Sequence, residues 1–180
     1  MKLQVEFNPR VVAAYRLIGY EKRILQDQDF NDDQKDAGEM GAGHSVTALY
    51  ELIPAGRKID VPSIDPLKYQ QPSSLSAAST PAEAMTVKLR YKRPDEDVST
   101  KLDVPVKNTI AESAQLGFAT AIVEFGMLLC DSPFKGSSSF AEARTLAERF
   151  KGEDPHGHRA EFIRLIGLAE KVSQVRMTSR

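Results

Sequence analysis

The feature that most constrains this chain is a change of hydrophobic period near residue 108. Before it, apolar residues recur at every second position in short runs; after it, they recur at helical spacing. Leu3, Val5 and Phe7 alternate with Lys2, Gln4 and Glu6, and Val87, Leu89 and Tyr91 alternate with Lys88, Arg90 and Lys92. Period 2 puts one set on the buried face of a sheet and the other in water. Strands followed by helices predict an α+β protein rather than repeated βαβ units. The expected architecture is an antiparallel β-sandwich-like region over residues 1–107, followed by a three-helix C-terminal subdomain over 108–180 packed against it as one compact unit.

Within the β-rich part, Asn8-Pro9 ends or bends the first strand. Val11 to Tyr20 could form a helix, but its β-branched and aromatic content and its Gly19-Tyr20 ending favour a strand. An acid-rich run from Asp27 to Asp36 reads as a loop. His44 to Ile53 alternates cleanly and predicts a further strand, closed by Pro54-Ala-Gly56. Residues 62–83 are rich in Pro, Ser, Ala and Gln without periodicity, and predict a disordered or mobile connection. The strand pattern resumes over Met85–Arg93. Leu102–Val106 is a short strand that Pro105 confines to a sheet edge.

The helical part opens with Thr109-Ile-Ala-Glu112, the spacing of a capping box. Ile110, Ala114, Phe118, Ala121, Ile122, Phe125, Leu128 and Leu129 then form one apolar stripe. Ser139-Phe-Ala-Glu142 is a second capping box, opening a short helix to Phe150. Asp154-Pro155 offers an N-cap with Pro at the first helical position. The third helix sets Phe162, Leu165, Ile166, Ala169 and Val172 on one face.

Net charge is −1, with 15 basic and 16 acidic residues up to Lys107 and 9 of each beyond it. Neither part carries the positive surface that nucleic acid or an anionic membrane requires, so no nucleic-acid partner is expected. No apolar run reaches the roughly 20 residues of a spanning helix, so no transmembrane segment is expected in this chain. The opening Met-Lys-Leu-Gln-Val-Glu-Phe enters a strand pattern without the apolar core of a signal peptide, which reads as a fragment taken from a longer chain. Cys130 is the single cysteine and allows no internal disulfide.

Candidate chemistry centres on the acidic loop 27–39. Asp27, Asp29, Asn31, Asp32, Asp33 and Asp36 supply hard oxygens at the close spacing of calcium loops. The pattern departs from an EF-hand: the sixth position lacks Gly and the twelfth is Gly38, with Glu39 one place late. A solvated loop paired with Arg16 and Arg23 is the plainer expectation. His156 and His158, with His44 and Cys130, are few for a zinc site, and both sit more simply in the first turn of the third helix. Cys130 follows Leu128 and Leu129, where a free thiol packs as a small hydrophobe. The glycines of 38–43 precede a strand, so they present no helix-terminal amides to a phosphate and instead permit positive φ or a bulge. No nucleophile–base set, P-loop or paired-carboxylate spacing occurs, so the chain reads as no enzyme. No catalytic, cofactor-binding or metal-ligating residue is assigned, and no cofactor is expected.

Several segments together carry a family resemblance. They are Val5-Glu-Phe-Asn-Pro9, Ala14-Tyr-Arg-Leu-Ile-Gly-Tyr-Glu21, Asp29-Phe-Asn-Asp32, Asp36-Ala-Gly-Glu39 and Gly41-Ala-Gly-His-Ser-Val-Thr-Ala-Leu-Tyr-Glu51. Thr86-Val-Lys-Leu-Arg-Tyr91, Phe125-Gly-Met-Leu-Leu129, Asp131-Ser132 and Arg159-Ala-Glu-Phe-Ile-Arg-Leu165 extend it along nearly the whole chain. The chain resembles the C-terminal, YfbK-type domain of bacterial von Willebrand factor type A proteins, a domain of unknown function. Cys130 stands where that family leads one to expect a basic residue.

The resemblance implies a segment that follows a von Willebrand A domain, whose adhesion site carries the ligand chemistry. That site's Asp-x-Ser-x-Ser motif is absent here, so its metal is carried over to no residue of this chain. The function implied is a non-catalytic accessory domain supporting the adhesion domain and protein–protein interaction. Its partners would be the upstream von Willebrand A domain of the same polypeptide and a further, unknown protein. The implied location is secreted or in the cell envelope, as a periplasmic protein or surface lipoprotein. The alternative is an independent binding module using the acidic loop 27–39 for calcium or a basic partner.

Overall fold

The computed structural model describes residues 1–19, 24–35, 38–57, 75–76, 79–111 and 113–178, the side chains of 176–178 excepted. It forms two compact units, Met1–Thr109 and Ile110–Arg180. The first contains antiparallel sheets and the second three helices, the α+β class expected from the change of period.

In the first unit, β1 (Lys2–Phe7), β4 (Glu83–Tyr91) and β5 (Thr100–Lys107) form a three-stranded sheet in the order β1-β4-β5. β2 (Val12–Ile18) and β3 (Leu49–Pro54) form a two-stranded sheet. The registers line up Val5, Val87 and Val104 across the larger sheet, and likewise Leu3, Leu89 and Leu102. The opposite face aligns Gln4, Lys88 and Asp103, then Lys2, Arg90 and Lys101. One face is therefore apolar and the other charged, as alternation requires. The two sheets meet through aromatic rings: Phe7 lies 4.3 Å from Tyr15 and 5.2 Å from Tyr50.

Asn8 ends β1 and ties it down. Its Nδ2 donates to the carbonyls of Thr80 and Glu83, both at 2.7 Å, while its Oδ1 accepts from Ser79 Oγ at 2.6 Å and from the Arg10 amide at 3.0 Å. Glu83, expected in the mobile connection, belongs to β4, and Ser79 and Thr80 are held by Asn8; residues 62–74 of that connection lie outside the described residues.

Three strand-level expectations need correction. β3 begins at Leu49 rather than His44, because the ladder ends at the pair Ile18–Leu49, where Gly19 takes φ +72° and bends β2 out of strand geometry. β5 is longer than expected, although Pro105 does lie on an edge strand. Leu3, expected inside, is exposed, whereas Lys2 on the opposite face is buried with 8% exposure.

In the second unit, α1 spans Ala114–Leu129, α2 Phe140–Arg149 and α3 His158–Thr178. α1 does not start at Thr109. Ser113 caps it instead, its hydroxyl accepting from the Leu116 amide, so Ile110 stands fully in solvent. α2 does open at its capping box: Ser139 Oγ accepts from the Glu142 amide at 3.2 Å. It ends before Gly152, at φ +57°. α3 begins at His158, leaving His156 in the preceding turn, and Asp154 caps it from further upstream than expected.

Phe118, Ala121, Ala143, Ala147 and Ile166 form the buried core of this unit, ringed by Phe125, Leu128, Phe140, Leu146, Phe150, Phe162 and Ile163. Alanines on the facing sides of α1 and α2 let the backbones approach, and the large rings fill the space around them. Phe162 of α3 stands edge-on to Phe118 and Phe125 at 5.6 and 5.4 Å. The expected stripes are only half buried: Ile122, Leu129, Leu165 and Val172 remain exposed.

Candidate functional site

Polar groups converge on the acidic loop, and those it meets come from the larger sheet, chiefly its charged face. Its first turn is a short 3-10 helix, Asp27–Phe30, anchored by the buried Phe30 ring. Lys2 Nζ donates to the carbonyl of Asp29 at 2.7 Å and to that of Asp32. Those two acceptors explain why an amino group tolerates burial there.

Asp33 is the second anchor. Its Oδ1 accepts from Ser99 Oγ at 2.5 Å and from Arg90 at 3.3 Å, and its Oδ2 accepts from the Ser99 amide at 3.1 Å. Arg90 also donates to Ser99 Oγ at 2.7 Å, and Lys92 Nζ donates to the Asp33 carbonyl at 2.8 Å. The Ser99 hydroxyl, then the Ser99 amide, then Arg90 hold the Asp33 carboxyl down to about 2. Asp32 Oδ1 is turned inward onto the Gln34 amide at 2.9 Å, an Asx turn, and Asp29 faces Lys35 at 3.8 Å.

These contacts are not among those expected from the sequence. Arg16 pairs with Glu51 across β2 and β3, its Nε donating at 3.0 Å, and Arg23 lies outside the described residues. Among the described residues, the sheet side chains that bring positive charge to the loop are Lys2, Arg90 and Lys92, with Ser99 beside them. Sequence reasoning missed these four. The signal available was the run of basic residues on the polar face of β1 and β4, opposite in charge to the loop.

Beside the clasp is an open hollow of about 940 Å³ walled by Lys2, Lys35, Arg90, Lys92, Met40 and Leu89. The basic side chains of these walls, Lys2, Lys35, Arg90 and Lys92, are all turned onto loop oxygens. Among the described residues, no three His, Cys, Asp or Glu side chains converge as a metal site. His156 and His158 stand 5.9 Å apart, and His44 lies in a turn closed by its amide on the Gly41 carbonyl at 3.1 Å. Gly43 in that turn has φ +78°, the positive φ expected of this glycine run. Cys130 is exposed just past the end of α1, not packed as a small hydrophobe, because Asp131 at φ 50° turns the chain away there.

Asp154 is another strongly engaged carboxylate. It accepts from the Ala160 amide at 2.8 Å and the Arg159 amide at 3.1 Å, and these bonds, the Ala160 amide first, hold its pKa below the ordinary range. Its role is at the start of α3, where free amides favour negative charge.

Paired antiparallel sheets with a clasped acidic loop, followed by a helical unit, define an α+β domain. The chain belongs to the family described as the C-terminal region of uncharacterized protein YfbK, which it matches over residues 1–172. It is 41% identical over 176 residues to "Uncharacterized protein YfbK" of Escherichia coli strain K12, covering 97% of this chain. The chain spans 30% of that relative's length. No solved structure matches it. No helix among the described residues is long and apolar enough to cross a membrane.

Proposed function

We propose that this is a non-catalytic accessory domain of a bacterial von Willebrand factor A-type protein, which supports the adhesion domain and takes part in protein–protein interaction. The observation that carries the reading is the apolar face of the larger sheet. Leu3, Leu102 and Val104 lie on it, aligned with half-buried neighbours, and yet remain exposed. An apolar sheet face is stabilised by being covered, at roughly 25 cal/mol for each Å² removed from water. A relative more than three times as long as the chain's match supplies ample sequence to cover it. The family resemblance adds the rest: an adhesion domain earlier in the polypeptide and a bacterial envelope or secreted location.

The test compares the chain alone with the chain joined to the polypeptide that precedes it in the longer protein. Covering the sheet face raises the melting temperature of the β unit and protects Leu102 and Val104 from solvent labelling. Equal melting temperatures and equal labelling in the two forms would sink the accessory reading.

A further inference from the structure

Among the described residues, β5 has β4 on one side and no strand on the other. Which backbone groups it offers can be read from Asn108, just past its end, whose amide donates to the Ala82 carbonyl at 2.8 Å on the β4 side. Strand period then turns the amides of Thr100, Leu102, Val104 and Val106 toward β4, and those of Lys101 and Asp103 outward. Pro105 falls in the outward set, where its missing N–H costs the sheet nothing. The outward run is bounded at both ends. Pro105 has no N–H to give, and the Ser99 amide is already donated to Asp33. Lys101 and Asp103 remain between these stops.

We infer that β5 pairs antiparallel with β5 of a second copy of this chain, about a two-fold axis through Leu102. In that register Lys101 stands opposite Asp103 on both sides of the axis, Leu102 faces Leu102, and Thr100 faces Val104. Opposite charges directly across a ladder stabilise it, and like charges destabilise it. Other axes fail on this count. An axis through Asp103 sets two aspartates against each other, one through Lys101 sets two lysines together, and one through Val104 brings Lys101 to Lys107. The strand is thus its own complement in one register.

The apolar face gains as well. Leu102 and Val104, 50% and 44% exposed, would continue the face from one copy into the next. The contact is isologous and closes on itself, so it makes a pair and not a fibre. With Ser99 and Pro105 as stops the ladder is short, and association is concentration-dependent and weak.

Light scattering and sedimentation over a concentration series read this directly. The native chain rises toward twice its monomer mass at high concentration, and the amides of Lys101 and Asp103 become slower to exchange. Asp103→Lys and Lys101→Asp each abolish the rise. Mixing these two variants sets positive residues opposite negative ones and restores a pair, which also shows that both still fold. A native chain monomeric throughout, or a rise unaltered by both substitutions, overturns the inference. In the longer protein, retained pairing upholds the second copy as the occupant. Loss of pairing there with the Lys101 and Asp103 amides protected assigns the edge to a strand of the same polypeptide, and overturns it.

Discussion

Asp33 and Lys2 are small parts of the molecule with distinct measurable consequences. The folded pKa of Asp33 is depressed, so its contribution to stability is present above its ordinary value of 3.8 and is lost as pH falls toward about 2. Acid titration of the β unit should therefore show a loss of stability in that window, and Asp33→Asn should flatten it; an unchanged profile in the variant would remove Asp33 from the clasp. Lys2→Met keeps the apolar stem but leaves two loop carbonyls without their donor, a loss of about 1–3 kcal/mol in a denaturant melt. In the helical unit, Ile166 is fully buried, and Ile166→Ala should cost about 2–5 kcal/mol. Ile166 was legible as core from helical spacing alone. Lys2 was not, because its acceptors lie 27 and 30 residues further along, in a loop that has no periodicity. Alternation assigned it to the wet face, and the loop then covered that face.

At the scale of elements, a feature fixed by near neighbours is legible where no competing local signal stands beside it, and one that depends on a distant partner is not. The Ser139 box and the edge position of Pro105 depend on near neighbours or on one missing N–H. The Thr109 box had the right residues at the right spacing, but Ser113 supplied a competing cap four residues later, so that α1 begins there. Gly117 shows the limit in another way. A Cβ at that position would sit 2.3 Å from the Phe150 ring. Helix propensity favours Gly117→Ala by about 1 kcal/mol, whereas overpacking opposes it by about 1–3 kcal/mol. The structure decides for the second effect: Gly117→Ala destabilises the native unit, and the same change in a Phe150→Ala background stabilises it. A stabilising Gly117→Ala in the native chain would show that α1 and Phe150 are further apart than described. The acidic loop is a similar case. With its carbonyls and the Asp33 carboxylate held by sheet donors, calcium at millimolar concentration should leave the melting temperature where it is. A rise of several degrees would instead mean that the ion displaces Lys2 or Arg90 from the loop.

For the whole molecule, the α+β class and the chain order of the elements were legible, since both follow from the change of period. The exposed apolar positions were not, because alternation marks a residue as suited to a core without saying what will cover it. β1 pairs with β4 in a register that joins Lys2 to Arg90, across most of the first unit. Closing so long a loop is entropically slow, whereas the helices form from neighbours in sequence. Refolding should show a fast helical phase and a slower one reported by Tyr15 and Tyr50; coincident phases would contradict this ordering. On a ribosome adding about 5–20 residues per second, β1 emerges roughly 4–16 s before its partner. Throughout that interval its alternating Leu3, Val5 and Phe7 lack the strand with which they pair. β1 therefore passes that interval unpaired, and its ladder closes only once the chain has reached Tyr91.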